Sequence, residues 1–89
     1  MKAFNPGYVV HPSETVKEIM EEKDISPTEL AIECGLPIDV IRFFLAGKIN
    51  VSKYMAEQFS ISLGSTPEFW LKLSTDFEAG AKAGKEWVK

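Results

Sequence analysis

The sequence predicts an all-α domain built from five short helices. Three observations point to it. Apolar residues recur at helical spacing, helix-starting signals with proline in the first turn recur along the chain, and glycines stand where the apolar segments stop. With 89 residues the chain is read as one domain. A chain this short buries only about 60–65% of its unfolded surface, so a partner subunit would add stability.

The first helix begins at His11-Pro12-Ser13-Glu14, with the proline placed where its missing N–H costs nothing. Val16, Ile19, Met20 and Lys23 then share one face. Ser26-Pro27-Thr28-Glu29 is a capping box that opens the second helix. Such a cap contributes about 1 kcal/mol. Leu30, Ala31 and Cys34 point inward, and Gly35 ends the helix through a positive φ. A third helix is expected from Ile38 to Ala46, with Gly47 as its stop. Ser52 caps a fourth, from Lys53 to Leu63, which ends at Gly64. Thr66-Pro67-Glu68 opens a fifth, with Phe69, Trp70, Leu73 and Phe77 on an apolar stripe.

The flanks are read as irregular. Pro6-Gly7 is a turn, and Tyr8-Val9-Val10 is too short to pair alone, so it is expected to lie extended along the body or along a partner. After Glu78 the run AGAKAGKEWVK carries two glycines that weaken any helix, leaving Trp87 and Val88 to dock elsewhere. The expected organisation is an arm over 1–11, a helical domain over 12–78 and a tail over 79–89.

Charge and composition exclude several classes. No apolar stretch approaches the roughly 18 residues of a membrane span. The first residues lack the long apolar core of a secretory signal, and one cysteine cannot form an internal disulfide, which favours the cytoplasm. Enzymatic readings are weak. His11, the only histidine, directly precedes a helix-starting proline, which suits a capping or turn role. Cys34 sits on an inward face and reads as a small core residue. No CxxC, HExxH or glycine-rich phosphate loop is present, so neither a metal nor a cofactor is expected. The net charge of −3 is unevenly spread. Residues 12–34 hold seven carboxylates against two lysines, whereas residues 35–58 carry three basic groups against two acidic ones.

The joint between helices two and three, Cys34-Gly35-Leu36-Pro37, is short and contains glycine, as a helix-turn-helix requires. In that motif the third helix would enter the major groove of DNA. At roughly 100° per residue, Val40, Ile41, Phe44 and Leu45 fall on one inward arc. Ile38, Asp39, Arg42, Phe43 and Ala46 fall on the opposite one. An aspartate accepts from cytosine N4, an arginine forks to guanine O6 and N7, and Phe or Ile touches a thymine methyl. Each residue also has a plainer explanation. Asp39 favours the positive end of the helix, Arg42 is a solvated charge, and Phe43 packs on another chain. Lys48 and Lys53 flank helix ends and suit phosphate, as do the helix starts at Ser52 and at Ser26 and Thr28. Phe69 and Trp70, adjacent on one helix, point about 100° apart. The plainer reading is that both belong to the core; burying both calls for cover on two sides, which homodimerisation through Phe69, Trp70, Leu73 and Phe77 would supply.

The chain resembles the phage-repressor-like helix-turn-helix family, and within it the HigA (host-inhibition-of-growth antitoxin) branch. The residues that carry the resemblance are HPSE at 11–14, SPTELA at 26–31, GLP at 35–37, the Ile41-Phe44-Gly47-Lys48 spacing, Ser52 with Ala56, and LGSTPEFWLKL at 63–73. The last is close to the family's LGTSPEFWLNL. The third helix departs from the pattern, since relatives commonly carry Ser, Thr, Gln, Arg or Asn where this chain has Ile38, Asp39, Arg42 and Phe43. The resemblance implies a homodimer that binds a palindromic operator in its own promoter and neutralises a ribosome-dependent, mRNA-cleaving toxin. Two alternatives stay open: a stand-alone phage or host repressor, and a protein-interaction module on the same fold with weak DNA binding.

Overall fold

The structure, a computed structural model, describes residues 8–82 and 86–88. Five helices and two short strands follow one another as β1 (Tyr8–Val10), α1 (Pro12–Lys23), α2 (Pro27–Cys34), α3 (Ile38–Leu45), α4 (Lys53–Ser62), α5 (Pro67–Lys82) and β2 (Glu86–Val88). The five expected helices are all present, with boundaries within a residue or so except at the end of the fifth. The turn expected at Pro6-Gly7 lies outside the described residues.

Local chemistry sets the helix boundaries. His11 caps α1 through its ring, with Nδ1 accepting from the Ser13 N–H at 3.0 Å. The capping box of α2 is complete: the Glu29 N–H donates to Ser26 Oγ at 3.1 Å and the Ser26 N–H to Glu29 Oε1 at 3.0 Å. Ser52 Oγ accepts from the Met55 N–H, and Thr66 Oγ1 from the Phe69 N–H. At their C-terminal ends α1, α2 and α3 close in the same way. The Ile25, Leu36 and Lys48 amides reach back to the Met20, Ala31 and Phe43 carbonyls, each across a residue with positive φ. That residue is Gly35 in α2 and Gly47 in α3, but Asp24 in α1, a type that tolerates the left-handed region through its short polar side chain.

Packing follows from the apolar faces. α4 lies along α5 and against α2, while α2 packs on α3 and α1 on both α3 and α5. Val16, Leu30, Ile41, Phe44, Phe59 and Trp70 are sealed in the core. An aromatic file threads it. From Phe77 on α5 the rings pass to His11 (4.8 Å), Phe44 (5.4 Å), Phe59 (5.3 Å) and Trp70 (5.4 Å), and end at Phe69 (5.1 Å), again on α5. Tilted and edge-on pairs at these separations add about 0.5–1.5 kcal/mol each beyond their buried area.

The structure corrects one expectation and sharpens two others. The helix expected to end near Glu78 runs to Lys82, through Gly80, which is buried. A glycine inside a helix costs about 1 kcal/mol relative to alanine, and packing against the body offsets it. The segment Tyr8-Val9-Val10 lies extended against α5, in keeping with the expectation, and it also gains a strand partner. It pairs in parallel with Glu86–Val88, in the register Tyr8↔Glu86, Val9↔Trp87 and Val10↔Val88. Trp70 is covered entirely within its own chain. Its indole Nε1 donates to the Gly64 carbonyl at 3.1 Å and its ring meets Phe59 edge-on. It is therefore core, and of the two adjacent aromatics Phe69, 39% exposed, is the one that faces outward.

Candidate nucleic-acid interface

The turn between α2 and α3 is fixed from behind by α4. Tyr54 Oη donates to the Cys34 carbonyl at 3.0 Å, and a Cβ added at Gly35 would stand 3.2 Å from that hydroxyl. Positive φ and this close approach together disfavour a larger residue at the turn. Cys34 itself is buried beside Ser62, and burial pushes its thiol upward in pKa, so it behaves as the core residue expected.

The turn presents α3 with one face sunk and one face open. Ile41 and Phe44 are buried, Val40 and Leu45 half-buried. Asp39, Arg42, Phe43 and Ala46 are exposed, at the i, i+3, i+4, i+7 spacing of a single helix face. Ile38 departs from the expectation. It is half-buried and packs against the core, which leaves less of its side chain outward than the helical arc alone suggested. Asp39 and Arg42, one turn apart, are not paired: the ion pairs among the described residues are Lys17–Glu14 and Lys72–Asp76. Both outward charges stand open to solvent.

Lys48 is exposed just beyond the α3 stop, and Ser52 and Lys53 are exposed at the start of α4. Ser26 and Thr28 are exposed at the start of α2, where the Ser26 hydroxyl is committed to its cap. The two helix starts and Lys48 thus offer amide donors and positive charge, a combination that suits an anion. Cap hydrogen bonds from Ser26 hold the Glu29 carboxyl below the usual carboxylate range. On α5, Leu73 and Phe77 are half-buried and Phe69 is the exposed aromatic.

Sequence reasoning missed the residues that hold the loop between α3 and α4. His11 Nε2 donates to the Ile49 carbonyl at 2.9 Å. Asn50 Nδ2 donates to the Ser74 carbonyl at 3.1 Å, while Asn50 Oδ1 accepts from the Val51 N–H at 2.9 Å. Ser74 Oγ donates to the Val51 carbonyl at 3.3 Å. No local motif announces the three long-range bonds, because their ends lie 23 to 38 residues apart.

His11 has a consequence for pH. Burial lowers its pKa below the ordinary 6.5; the bond to the Ile49 carbonyl and the Glu14 charge oppose this, and the Lys17 charge adds to it. The fold therefore favours the neutral ring, and the unfolded chain binds the proton more readily. Stability is full above pH 6.5, falls as pH drops through 6.5 towards the lowered value, and levels off below it. Urea midpoints at pH 7.5 and 5.5 should show this drop, and His11→Asn should flatten it. Equal pH slopes in the two proteins would contradict the assignment.

Among the described residues no helix is long and apolar enough to cross a membrane, and no group of His, Cys, Asp or Glu is placed to hold a metal.

A second helix that stands open beside exposed lysines defines the helix-turn-helix class of small domains, and several solved structures share this fold. Antitoxin GraA superposes with a TM-score of 0.78 at 34% identity, over 92% of this chain and 89% of that one. A HigA-family addiction-module antidote protein from Coxiella burnetii gives 0.73 at 28% identity, over 83% and 85%. The Pseudomonas aeruginosa antitoxin HigA, solved with the higBA promoter, gives 0.76 at 26% identity, also over 83% and 85%. No protein-family model and no curated sequence gives a significant match. The chain belongs to the HigA-type antitoxin family.

Proposed function

We propose that the chain is a dimeric DNA-binding antitoxin that represses its own promoter and neutralises an mRNA-cleaving toxin. The observation that carries the DNA half is the open face of α3, with Asp39, Arg42 and Phe43 side by side and exposed Lys48 and Lys53 beyond them. The P. aeruginosa relative solved with its promoter supports the same assignment. Arg42 and Asp39 read bases, Lys48, Lys53 and the α2 and α4 starts contact phosphate, and Ile38 contributes at most its exposed edge. The chain carries few basic residues and a net charge of −3, so its binding rests on a small number of phosphate contacts.

The toxin half rests on charge. Glu18, Glu21 and Glu22 stand exposed together on α1, within the acidic segment 12–34. A basic, RNA-handling toxin complements that surface. Such a protein works in the cytoplasm. A second reading is favoured by Phe43, 51% exposed at the centre of the open face. On that reading α3 meets a protein and DNA binding is weak.

The test is a titration against the protein's own upstream DNA and a scrambled duplex at two salt concentrations. A clear preference for the upstream duplex is expected; equal affinity for both removes the repressor assignment. Lys48→Ala and Lys53→Ala should each weaken binding to every sequence and lower the salt slope by about one. Assembly is tested separately. Phe69, Leu73 and Phe77 along α5 form the surface we assign to a two-fold dimer, which two half-sites require. Light scattering at tens of micromolar should give twice the 9.9 kDa chain mass, and a monomer there would sink the dimer.

A further inference from the structure

The buried polar side chains among the described residues are His11, Ser13 and Ser74. Burying such groups costs free energy unless each finds a partner, and an apolar residue in its place carries no such cost. Here the partners share a purpose. The Ser13 hydroxyl and N–H both donate to His11 Nδ1, which orients the ring and leaves Nε2 to donate to the Ile49 carbonyl. Ser74 holds the Val51 carbonyl, and Asn50 closes the circuit by bonding both the Ser74 carbonyl and the Val51 N–H. Three successive residues, 49 to 51, are thus tied to the α1 cap and to α5. The segment they belong to begins at Lys48 and ends where Ser52 and Lys53 start α4.

We propose that His11, Ser74 and Asn50 are positioning residues for phosphate contact, a buried clamp that fixes the loop between α3 and α4 so that Lys48 and Lys53 stand at a set separation. The inference rests on the DNA-binding reading above and adds residues that touch no DNA. A loop of this length with exposed lysines samples many conformations, and each phosphate contact would then be made at the expense of ordering it. The clamp fixes the backbone on both sides of that choice before DNA arrives. It joins elements distant in sequence: the cap of α1, the middle of α5 and the loop itself.

His11→Asn separates clamp from cap. Asparagine is among the best N-cap residues, so it retains an acceptor for the Ser13 N–H, but it is too short to reach the Ile49 carbonyl. Ser74→Ala removes the hydroxyl bond to the Val51 carbonyl and keeps the backbone carbonyl that Asn50 bonds. Affinity for the upstream duplex and its salt slope are measured at a temperature where circular dichroism shows every variant folded. Each variant should lose roughly three- to tenfold in affinity near 0.1 M salt, and its salt slope should become shallower by about one. In a Lys48→Ala background, adding His11→Asn should cost less than about twofold further, because the contact it positions is already gone. A residue that only stabilises the fold would leave affinity and slope unchanged once folded. Variants that bind within twofold of the wild type with its slope, or losses that multiply independently in the Lys48→Ala background, overturn the proposal. If His11→Asn fails to fold, Ser74→Ala alone decides by the same criteria. Failure of the unaltered protein to bind the duplex is a different result: it removes the DNA reading, and the positioning role with it.

Discussion

Trp70→Ala should cost the domain roughly 3–5 kcal/mol, the range for truncating a buried tryptophan. The ring is wholly enclosed, its edge against Phe59, and its N–H bonds the Gly64 carbonyl, so the substitution leaves both a cavity and a carbonyl without its donor. Small domains are held by only about 5–15 kcal/mol, so a large fraction of the total disappears. Chemical denaturation monitored by circular dichroism should show a much lower midpoint at unchanged cooperativity. Trp70→Phe should fall between, keeping most of the packing but not the hydrogen bond. Phe69→Ala, next in sequence, should barely move the midpoint and should weaken self-association instead. A Trp70→Ala domain within about 1 kcal/mol of the original would mean that the core collapses around the gap, contrary to the close packing described.

Asp39→Ala and Arg42→Ala should have opposite signatures on DNA. A carboxylate near the groove is repelled by phosphates and harms general affinity. It is tolerated in a reading helix only if it gains a base donor such as cytosine N4. Because Asp39 and Arg42 do not pair in the free protein, both arrive at the groove uncommitted. Asp39→Ala should therefore lose about 1–3 kcal/mol of specific binding while non-specific binding holds or improves. Arg42→Ala should lose both, the specific part more. Asp39 also lies in the first turn of a helix that has no side-chain cap, so its removal costs a few tenths of a kcal/mol of stability at most. If α3 instead meets a protein, Asp39→Ala raises general DNA affinity with no sequence losing ground, and Phe43→Ala damages partner binding. A titration of the three variants against both duplexes separates the outcomes.

The helices were legible because their signals are local. Ser26 and Glu29 declare the start of α2 within four residues, and Gly35 and Gly47 declare the stops of α2 and α3 by their backbone freedom. The open face of α3 followed from helical spacing alone, apart from Ile38, whose place at the first turn lets it lean back onto the core. Features set by geometry between elements were not legible. Trp70 looked like half of an interface because spacing says only that two adjacent aromatics diverge. Which of them turns inward depends on how α5 leaves α4, and that angle is set by Gly64 and Ser65, both with positive φ. Gly80 argued against a helix locally, yet its burial against the body outweighs its propensity. The clamp on the loop was invisible for the same reason, since His11, Asn50 and Ser74 are ordinary residues until the fold brings them together.

The pairing of β1 with β2 sets an order of events. Parallel strands need a crossover, and here the crossover is the entire set of five helices. Closing so long a loop is entropically costly before the helices have condensed, so the strands zip last in folding and part first in unfolding. During synthesis β1 leaves the ribosome first and waits for β2, which follows α5. The helical body must hold together through that interval without the strand pair. Amide exchange should accordingly be faster at Tyr8–Val10 and Glu86–Val88 than around Phe44 and Phe59, giving the domain a soft seam along its strand pair.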